Sequence, residues 1–554
     1  MEENKSVMIN NGNEVFEAVY KEQVISEYRG NPFIEALPPI YSIEEVIERL
    51  AVYPNIDETE RNIEAKFRFH IIQRLFKYFQ PLYIHVDLEN RISRLIRQGY
   101  MARNPFKKEY AGSFQDGYKM IKNMNLELNC CSNFRTTASG FTLIGVSGLG
   151  KSTAINQILS MYPQVIVHSE YRGFKFSMYQ AVWMQLDCPH DGSLKGLCIE
   201  FFRKVDDLIG TNYHKKYGTG RQSVNVLLPI LGQCARNIGL GCLVIDEIQH
   251  LSLAKSGGAD SMLNFFTTLI NTAGIPVILI GTTKALNVLQ SQFRQARRGS
   301  GQGDMVWDRL KNDENWDLLI RGMWEYQWTK KPIELTDELK DTLYEESQGI
   351  TDIAVKIFAM SQIRAISSGK EEISANIIKS VAKNDLKLVR PMLQALKSGD
   401  IKKIAKYEDI YAIDIDKFIN NELPKAQLNE KIKAFQNEKS KCKESFQNDI
   451  KEEAILKLIE LDVKPIRAKK AVETALGEEK GPSEVNELIK KAFRIIIVEE
   501  NNKVNNKKKI ESPKDKEDLR NLVIEGKKDM KSAYDTLKEN GYIKEVNKDF
   551  LKVV

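Results

Sequence analysis

Five short apolar runs punctuate the middle of the chain: FTLIGV (141–146), QVIVH (164–168), VWMQLD (182–187), CLVIDE (242–247) and PVILIG (276–281). They are continuous rather than alternating, the pattern of strands that must be covered on both sides. SLKGLCIEFFRKVDDLIG (193–210) and SMLNFFTTLINTAG (261–274) lie between the later runs and repeat their apolar positions at helical spacing. Buried strands alternating with helices predict an α/β fold with a parallel sheet. After Lys331 the strands stop, and LTDELKDTLYEES, TDIAVKIFAMSQIRAISSG and SANIIKSVAKNDLKLVRPMLQALKSG read as successive amphipathic helices. Ahead of the core the pattern is mixed and mostly helical, broken by YRGNPFIEALPP (28–39) and by ARNPF near residue 104. Beyond residue 400 Lys, Glu and Asn accumulate, NNKVNNKKKIESPKDKED (501–518) reads as a disordered linker, and the last segment regains helical periodicity. The expected organisation is an N-terminal partner-binding region (1–115), an α/β core (116–330), a helical lid (331–410) and a C-terminal extension with a charged linker and partner-binding tail (411–554).

A chain of 554 residues suits such a multi-domain plan. No run of 18 apolar residues occurs, so no membrane span is expected, and MEENKSVMINNGNEVF lacks the apolar stretch of a signal peptide. Seven cysteines without CxxC or Cys/His zinc spacing point to a reducing, cytoplasmic setting, and adjacent Cys130 and Cys131 do not bridge easily. The six histidines form no metal-ligand pattern; DCPHDGS (187–193) reads as a loop. The net charge of +6 tolerates a nucleic-acid partner without demanding one.

The chemistry begins with GVSGLGKS, in which Gly145, Gly150, Lys151 and Ser152 fill the G-x-x-x-x-G-K-[ST] pattern between a strand and a helix. Glycines let the backbone wrap phosphates, and the helix N-terminus presents its positive end to the anion. Lys151 brings a full charge to the β- and γ-phosphates and Ser152 a hydroxyl for Mg²⁺, with Ser147, Gly148 and Thr153 completing the cradle for ATP. CLVIDE supplies the partner strand: Asp246 is expected to hold Mg²⁺, and Glu247 to act as general base on an attacking water. That pair separates hydrolytic ATPases from kinases, and the guanine-reading NKxD pattern of GTPases is absent.

GTTK, at the end of PVILIG, offers Thr282 or Thr283, the latter preferred, for the water-orienting position called sensor 1 in AAA+ ATPases. Arg294, Arg297 and Arg298 in SQFRQARRGSGQGD are candidates for an arginine finger reaching a neighbouring subunit's ATP. Where many AAA+ proteins carry a lid arginine, this chain has Asp352 and Lys356. Arg172 and Lys175, beside aromatic residues in EYRGFKF, and Lys195 are candidates for contact with a DNA backbone.

Taken together, YRGNPFIEALPP, IGVSGLGKST, LVIDEIQHLS, SGGADSMLNFF, GTTKA, FRQARRGSGQG and RPMLQALKSG resemble the TnsC-type AAA+ regulators of DNA transposition, from about residue 28 to residue 410. The resemblance implies a P-loop AAA+ core between an N-terminal helical region, a helical lid and a C-terminal helical extension. It also implies an ATP-dependent protein that assembles as a ring or filament on duplex DNA without sequence preference. Such a protein receives a target selector of TnsD/TniQ type, recruits transposase subunits of TnsA and TnsB type, and comes off DNA after hydrolysis. The family's C-terminal region contacts the endonuclease subunit of the transposase, a role that the Lys-rich linker and helical tail suit. Two other readings share part of this pattern: an AAA+ helicase loader or replication initiator, and a signalling NTPase without DNA contact.

Overall fold

The structure is a computed structural model that describes residues 6–9, 11–114, 136–253, 258–285, 289, 303–398, 415–461, 463–476, 485–505, 519–529 and 531–542. Nine strands are described: β1 (Ser6–Met8), β2 (Glu14–Glu17), β3 (Gly140–Gly145), β4 (Val165–Tyr171), β5 (Phe174–Ala181), β6 (Trp183–Asp187), β7 (Cys242–Asp246), β8 (Val277–Gly281) and β9 (Asp304–Trp307). Five of them form the central sheet in the order β6-β7-β8-β3-β9, every neighbouring pair parallel. The chain must therefore cross over between strands, and the crossovers include the helices Lys151–Ser160, Leu194–Ile209, Val224–Asn237 and Gly258–Thr268.

Strand side chains alternate between faces, and here the alternation divides the core in two. Phe141, Leu143, Val244, Ile278 and Ile280 join one apolar cluster with Ile92, Leu95 and Tyr100 of the N-terminal helix Tyr83–Met101 and with lid residues such as Ile353 and Ile357. Ile144, Leu243, Ile245, Val277 and Leu279 join the other, with Phe201, Phe202, Leu231 and Phe266 from the crossover helices. The N-terminal region is thus one wall of the sheet's own core.

Two features differ from the sequence expectation. QVIVH belongs to a second sheet, of order β1-β2-β4-β5, in which β4 and β5 form an antiparallel hairpin and β2 runs parallel to β4. The hairpin turns at Arg172 and Gly173, both left-handed at φ 50° and 84°, as a tight two-residue β-turn requires. The second feature is β9, DMVW, a short edge strand whose alternating burial gives little signal in the sequence.

Beyond residue 331, where the lid is expected, come the helices Asp337–Ser347, Thr351–Ser367, Ala375–Asp385 and Arg390–Ser398, preceded by the helix Glu314–Trp324. Contacts divide the chain into two compact units, 1–431 and 432–554. In the second unit Ala454, Leu458, Ala468, Val472, Leu488 and Ala492 make a small helical core. Nearby in the sequence, residues 501–505 end the helix Val485–Asn505, and the rest of the expected linker, from 506 to 518, lies outside the described residues. Among the described residues no helix is long and apolar enough to cross a membrane.

Candidate active site

The register brings the chemistry to one edge of the sheet. Ile144 pairs with Gly281, Ile245 with Leu279, and Asp187 with Asp246, so the C-terminal ends of β3, β8, β7 and β6 lie side by side. Ligands of open α/β sheets bind at this edge.

After β3 the chain enters its glycine loop. Gly148 and Gly150 are left-handed at φ 77° and 81°, which a side chain would resist. Gly145 is needed for space, since a Cβ there would lie 2.5 Å from the Trp307 carbonyl oxygen of β9. Gly150 caps the helix Lys151–Ser160 without any side-chain acceptor, and no acidic residue stands in its first turn. The helix Leu194–Ile209, by contrast, is capped by Ser193. No side-chain cap or first-turn acid therefore competes with an anion at this helix N-terminus. Lys151 is buried, and its ammonium donates to the Gly145 and Val146 carbonyls at 2.9 and 2.8 Å, holding the charge over the loop. Ser152 and Thr153 follow in the helix's first turn, the hydroxyl positions a Mg-nucleotide needs.

At the end of β7 Asp246 is buried, and its Oδ1 accepts the Glu247 N–H at 2.7 Å. Glu247 is itself left-handed, at φ 56°, an uncommon conformation for a glutamate. The reversal separates the two carboxylates: Asp246 stays in the strand end, while Glu247 leaves it and accepts a hydrogen bond from Gln249 Nε2. Thr282 is buried just past β8, and Thr283 beside it is half-buried.

The walls of the cavity beside the glycine loop come from far away in the sequence. A space of about 520 Å³ adjoins Gly148, Leu149, Gly150 and Thr153 and is lined by Phe76, Tyr78, Phe79, His85, Leu319 and Val355. Aromatic walls suit the face of a base, and Gln73 and Gln80 also line the space. The His85 Nδ1 accepts the Leu82 N–H at 2.9 Å, and burial pushes this imidazole down to about 4, so it is neutral at pH 7. The lid helix Thr351–Ser367 rests directly on the glycine loop: Thr351 Oγ1 and the Asp352 N–H both donate to the Gly148 carbonyl at 3.1 Å. Lys356 lines the same cavity and is paired with Asp352 at 2.6 Å.

The remaining candidates are dispersed. Arg294, Arg297 and Arg298 lie outside the described residues. Arg172 and Lys175 share the β4–β5 hairpin, but the Arg172 guanidinium is held by buried Glu35 at 3.0 Å and lies over Tyr171. Lys195 is on a different element, in the first turn of Leu194–Ile209, where its ammonium donates to the Gly220 carbonyl at 2.5 Å. Cys188, just after β6, has its thiol pushed up to about 12, first by burial and then by Asp191 and Glu247. Among the described residues no group of three or more potential ligands could hold a metal ion. Gln249, Asp187 and the cavity walls escape a reading of the sequence; only the position of Gln249 two residues beyond the acid pair could have flagged it.

A phosphate loop after a central parallel strand, an acid pair two strands away, and a helical lid seated on the loop define a P-loop ATPase of the AAA+ class. Residues 135–289 match the family model of the AAA domain, so the chain contains an AAA+ ATPase domain. No curated protein matches the sequence. Among solved structures, the Orc1 protein of Aeropyrum pernix in complex with DNA is similar at 16% identity, covering 50% of this chain and 66% of that one with a TM-score of 0.32. A Walker-type ATPase of Pyrococcus abyssi is similar at 13% identity over 56% of this chain and 88% of its own, with a TM-score of 0.32. Cdc6p from Pyrobaculum aerophilum is similar at 11% identity over 59% and 90%, with a TM-score of 0.33.

Proposed function

We propose that this protein is a TnsC-type regulator of DNA transposition, assembling on duplex DNA when ATP is bound and leaving it after hydrolysis. The observation that carries the reading is the place of NPFIEALPP, the motif least general to P-loop proteins. Asn31 donates to the Tyr100 carbonyl at 2.7 Å, Phe33 is buried against Tyr100 and His168, and Glu35 accepts from Tyr171 at 2.8 Å and from Arg172. The segment fastens the N-terminal wall to the β4–β5 hairpin, which gives this motif a structural place outside the ATPase loop and supports weighing it beside the ATPase motifs.

In this reading the cavity takes the base and the glycine loop takes the phosphates. Lys151 neutralises the β- and γ-phosphates, and Ser152 and Asp246 would hold Mg²⁺, which would supply positive charge against the phosphate oxygens. Glu247 orients a water for in-line attack, Thr282 or Thr283 helps to place it, and one of Arg294, Arg297 or Arg298 reaches the neighbouring subunit's nucleotide. The partners are duplex DNA, further copies of the chain, transposase subunits of TnsA and TnsB type, and a selector of TnsD/TniQ type. Hydrolysis then acts as a timer that ends the DNA-bound state.

The test is retention of duplex DNA on a filter with and without ATP. ATP-dependent retention that weakens steeply with salt is expected, as phosphate contacts demand. Glu247→Gln should prolong it and Lys151→Ala abolish it. No retention at low salt sinks both this reading and the loader or initiator alternative. Binding of a replicative helicase in place of transposase subunits would favour that alternative.

A further inference from the structure

We propose that Gln249 is a positioning residue that sets the Glu247 carboxylate against the end of β8, so that the base is correctly aimed only while β7 and β8 hold their register. The inference rests on Glu247 acting as the base.

Glu247, with its left-handed backbone, turns the chain from β7 into the helical turn Ile248–Leu253 and brings residue 249 back between the two strand ends. There Gln249 is buried, and its amide is committed at both ends. The Oε1 accepts the Thr282 N–H at 3.1 Å, so Nε2 must face the Glu247 carboxylate and donates to Oε2. A primary amide can accept from a backbone N–H and donate to a carboxylate at once, through two different atoms. An isosteric carboxylate could do only the first.

The neighbouring residue makes room for this bridge. A Cβ on Gly281 would lie 2.5 Å from Ile248 Cγ2 and 3.0 Å from Gln249 Oε1, so the missing side chain at the end of β8 lets Gln249 in. The Thr282 hydroxyl, buried beside its bonded N–H, has no hydrogen-bond partner among the described residues. Thr282 therefore offers two polar groups at the strand end: the N–H anchors Gln249, and the hydroxyl is left for a group entering the site. A phosphate or water that shifts Thr282 moves the Gln249 acceptor, and with it the donor that fixes Glu247. A donor on Oε2 also limits rotation of the carboxylate, leaving Oε1 to take a proton from water.

Steady-state ATP hydrolysis by the full chain with duplex DNA tests this. Gln249→Ala should lower kcat by about 10- to 100-fold, the cost of a misplaced catalytic group, with KM for ATP changing less than about two-fold. Gln249→Glu keeps the acceptor for Thr282 but loses the donor, and should fall at least as far; it also serves if the alanine variant does not fold. In the Glu247→Gln background, Gln249→Ala should slow the residual reaction no further, because it acts through Glu247. An unchanged or raised kcat, a rise in KM alone, or losses that multiply in the double variant would each overturn the proposal. Wild-type turnover in Glu247→Gln alone would instead remove the base reading on which it stands.

Discussion

Arg68 and Glu371 join the two regions that wall the cavity beside the glycine loop, and replacing Glu371 with Gln tests how much that junction contributes. Arg68 lies on the helix Ala65–Ile72, just before the wall residues Gln73 to His85, and Glu371 follows the lid helix Thr351–Ser367. The guanidinium is 1% exposed and donates to both carboxylate oxygens, at 2.7 and 2.8 Å, and to the Trp328 carbonyl at 3.1 Å. The Lys330 N–H adds a third hydrogen bond to the carboxylate, at 3.2 Å. Removing one partner of a buried ion pair costs roughly 3–5 kcal/mol, because the other charge stays behind unpaired. Gln keeps the shape and one acceptor oxygen, which puts the expected loss near the lower figure, about 3 kcal/mol. The left-handed backbone of residue 371, at φ 58°, is shared by both side chains and cancels. Urea unfolding followed by fluorescence reports on the region, since Trp316, Trp324 and Trp328 are buried there. ATP affinity should weaken in parallel. The double variant Arg68→Met with Glu371→Leu should recover most of the stability, because neither charge is stranded. A Glu371→Gln midpoint within about 0.5 kcal/mol of wild type would refute the reasoning.

Other outcomes are equally specific. Gly145→Ala should lose nucleotide binding even though Lys151 is intact, because its Cβ meets the Trp307 carbonyl at 2.5 Å and the glycine loop must shift; equilibrium binding of a fluorescent ATP analogue checks it. Thr351→Val removes one of two donors to Gly148 and should cost about 1 kcal/mol of lid attachment, read as faster hydrogen exchange in the helix Thr351–Ser367. Burial pushes His85 and His168 from 6.5 down to about 4, so between those values the unfolded chain binds more protons than the folded one. Stability from these groups is therefore full above about pH 6.5 and falls on acidification, by about 2 kcal/mol each at pH 5. A urea midpoint unchanged between pH 7 and pH 5 would contradict this, and His168→Gln should lessen the acid sensitivity.

Much of the ATPase site was legible because its logic is local. The loop glycines, Lys151 and Ser152 are consecutive, and a strand before them and a helix after them suffice to set their geometry. The acids of CLVIDE sit where an apolar strand stops, and β3, β6, β7 and β8 each coincide with a continuous apolar run. Lid helices followed from amphipathic spacing: Gly349, at φ 74°, turns the chain just ahead of the lid helix that begins at Thr351.

What only the tertiary structure decided is which distant residues meet. QVIVH has the composition of a central strand, yet it lies in an antiparallel hairpin closed at Arg172–Gly173 and pairs on its other side with β2, far earlier in the chain. Arg172 stays exposed, and only the fold pairs its guanidinium with buried Glu35, 137 positions earlier. The base cavity joins residues 73–85 to 351–356, and the Gln249 bridge spans 33 positions to reach Thr282. Such contacts depend on how separate elements pack, and no periodicity within one element encodes its partner. The sequence by itself determined a phosphate-binding ATPase core under a helical lid; the packing of the N-terminal region and lid around that core decided which residues wall the cavity beside the glycine loop, and the ends of β7 and β8 decided which group meets Glu247.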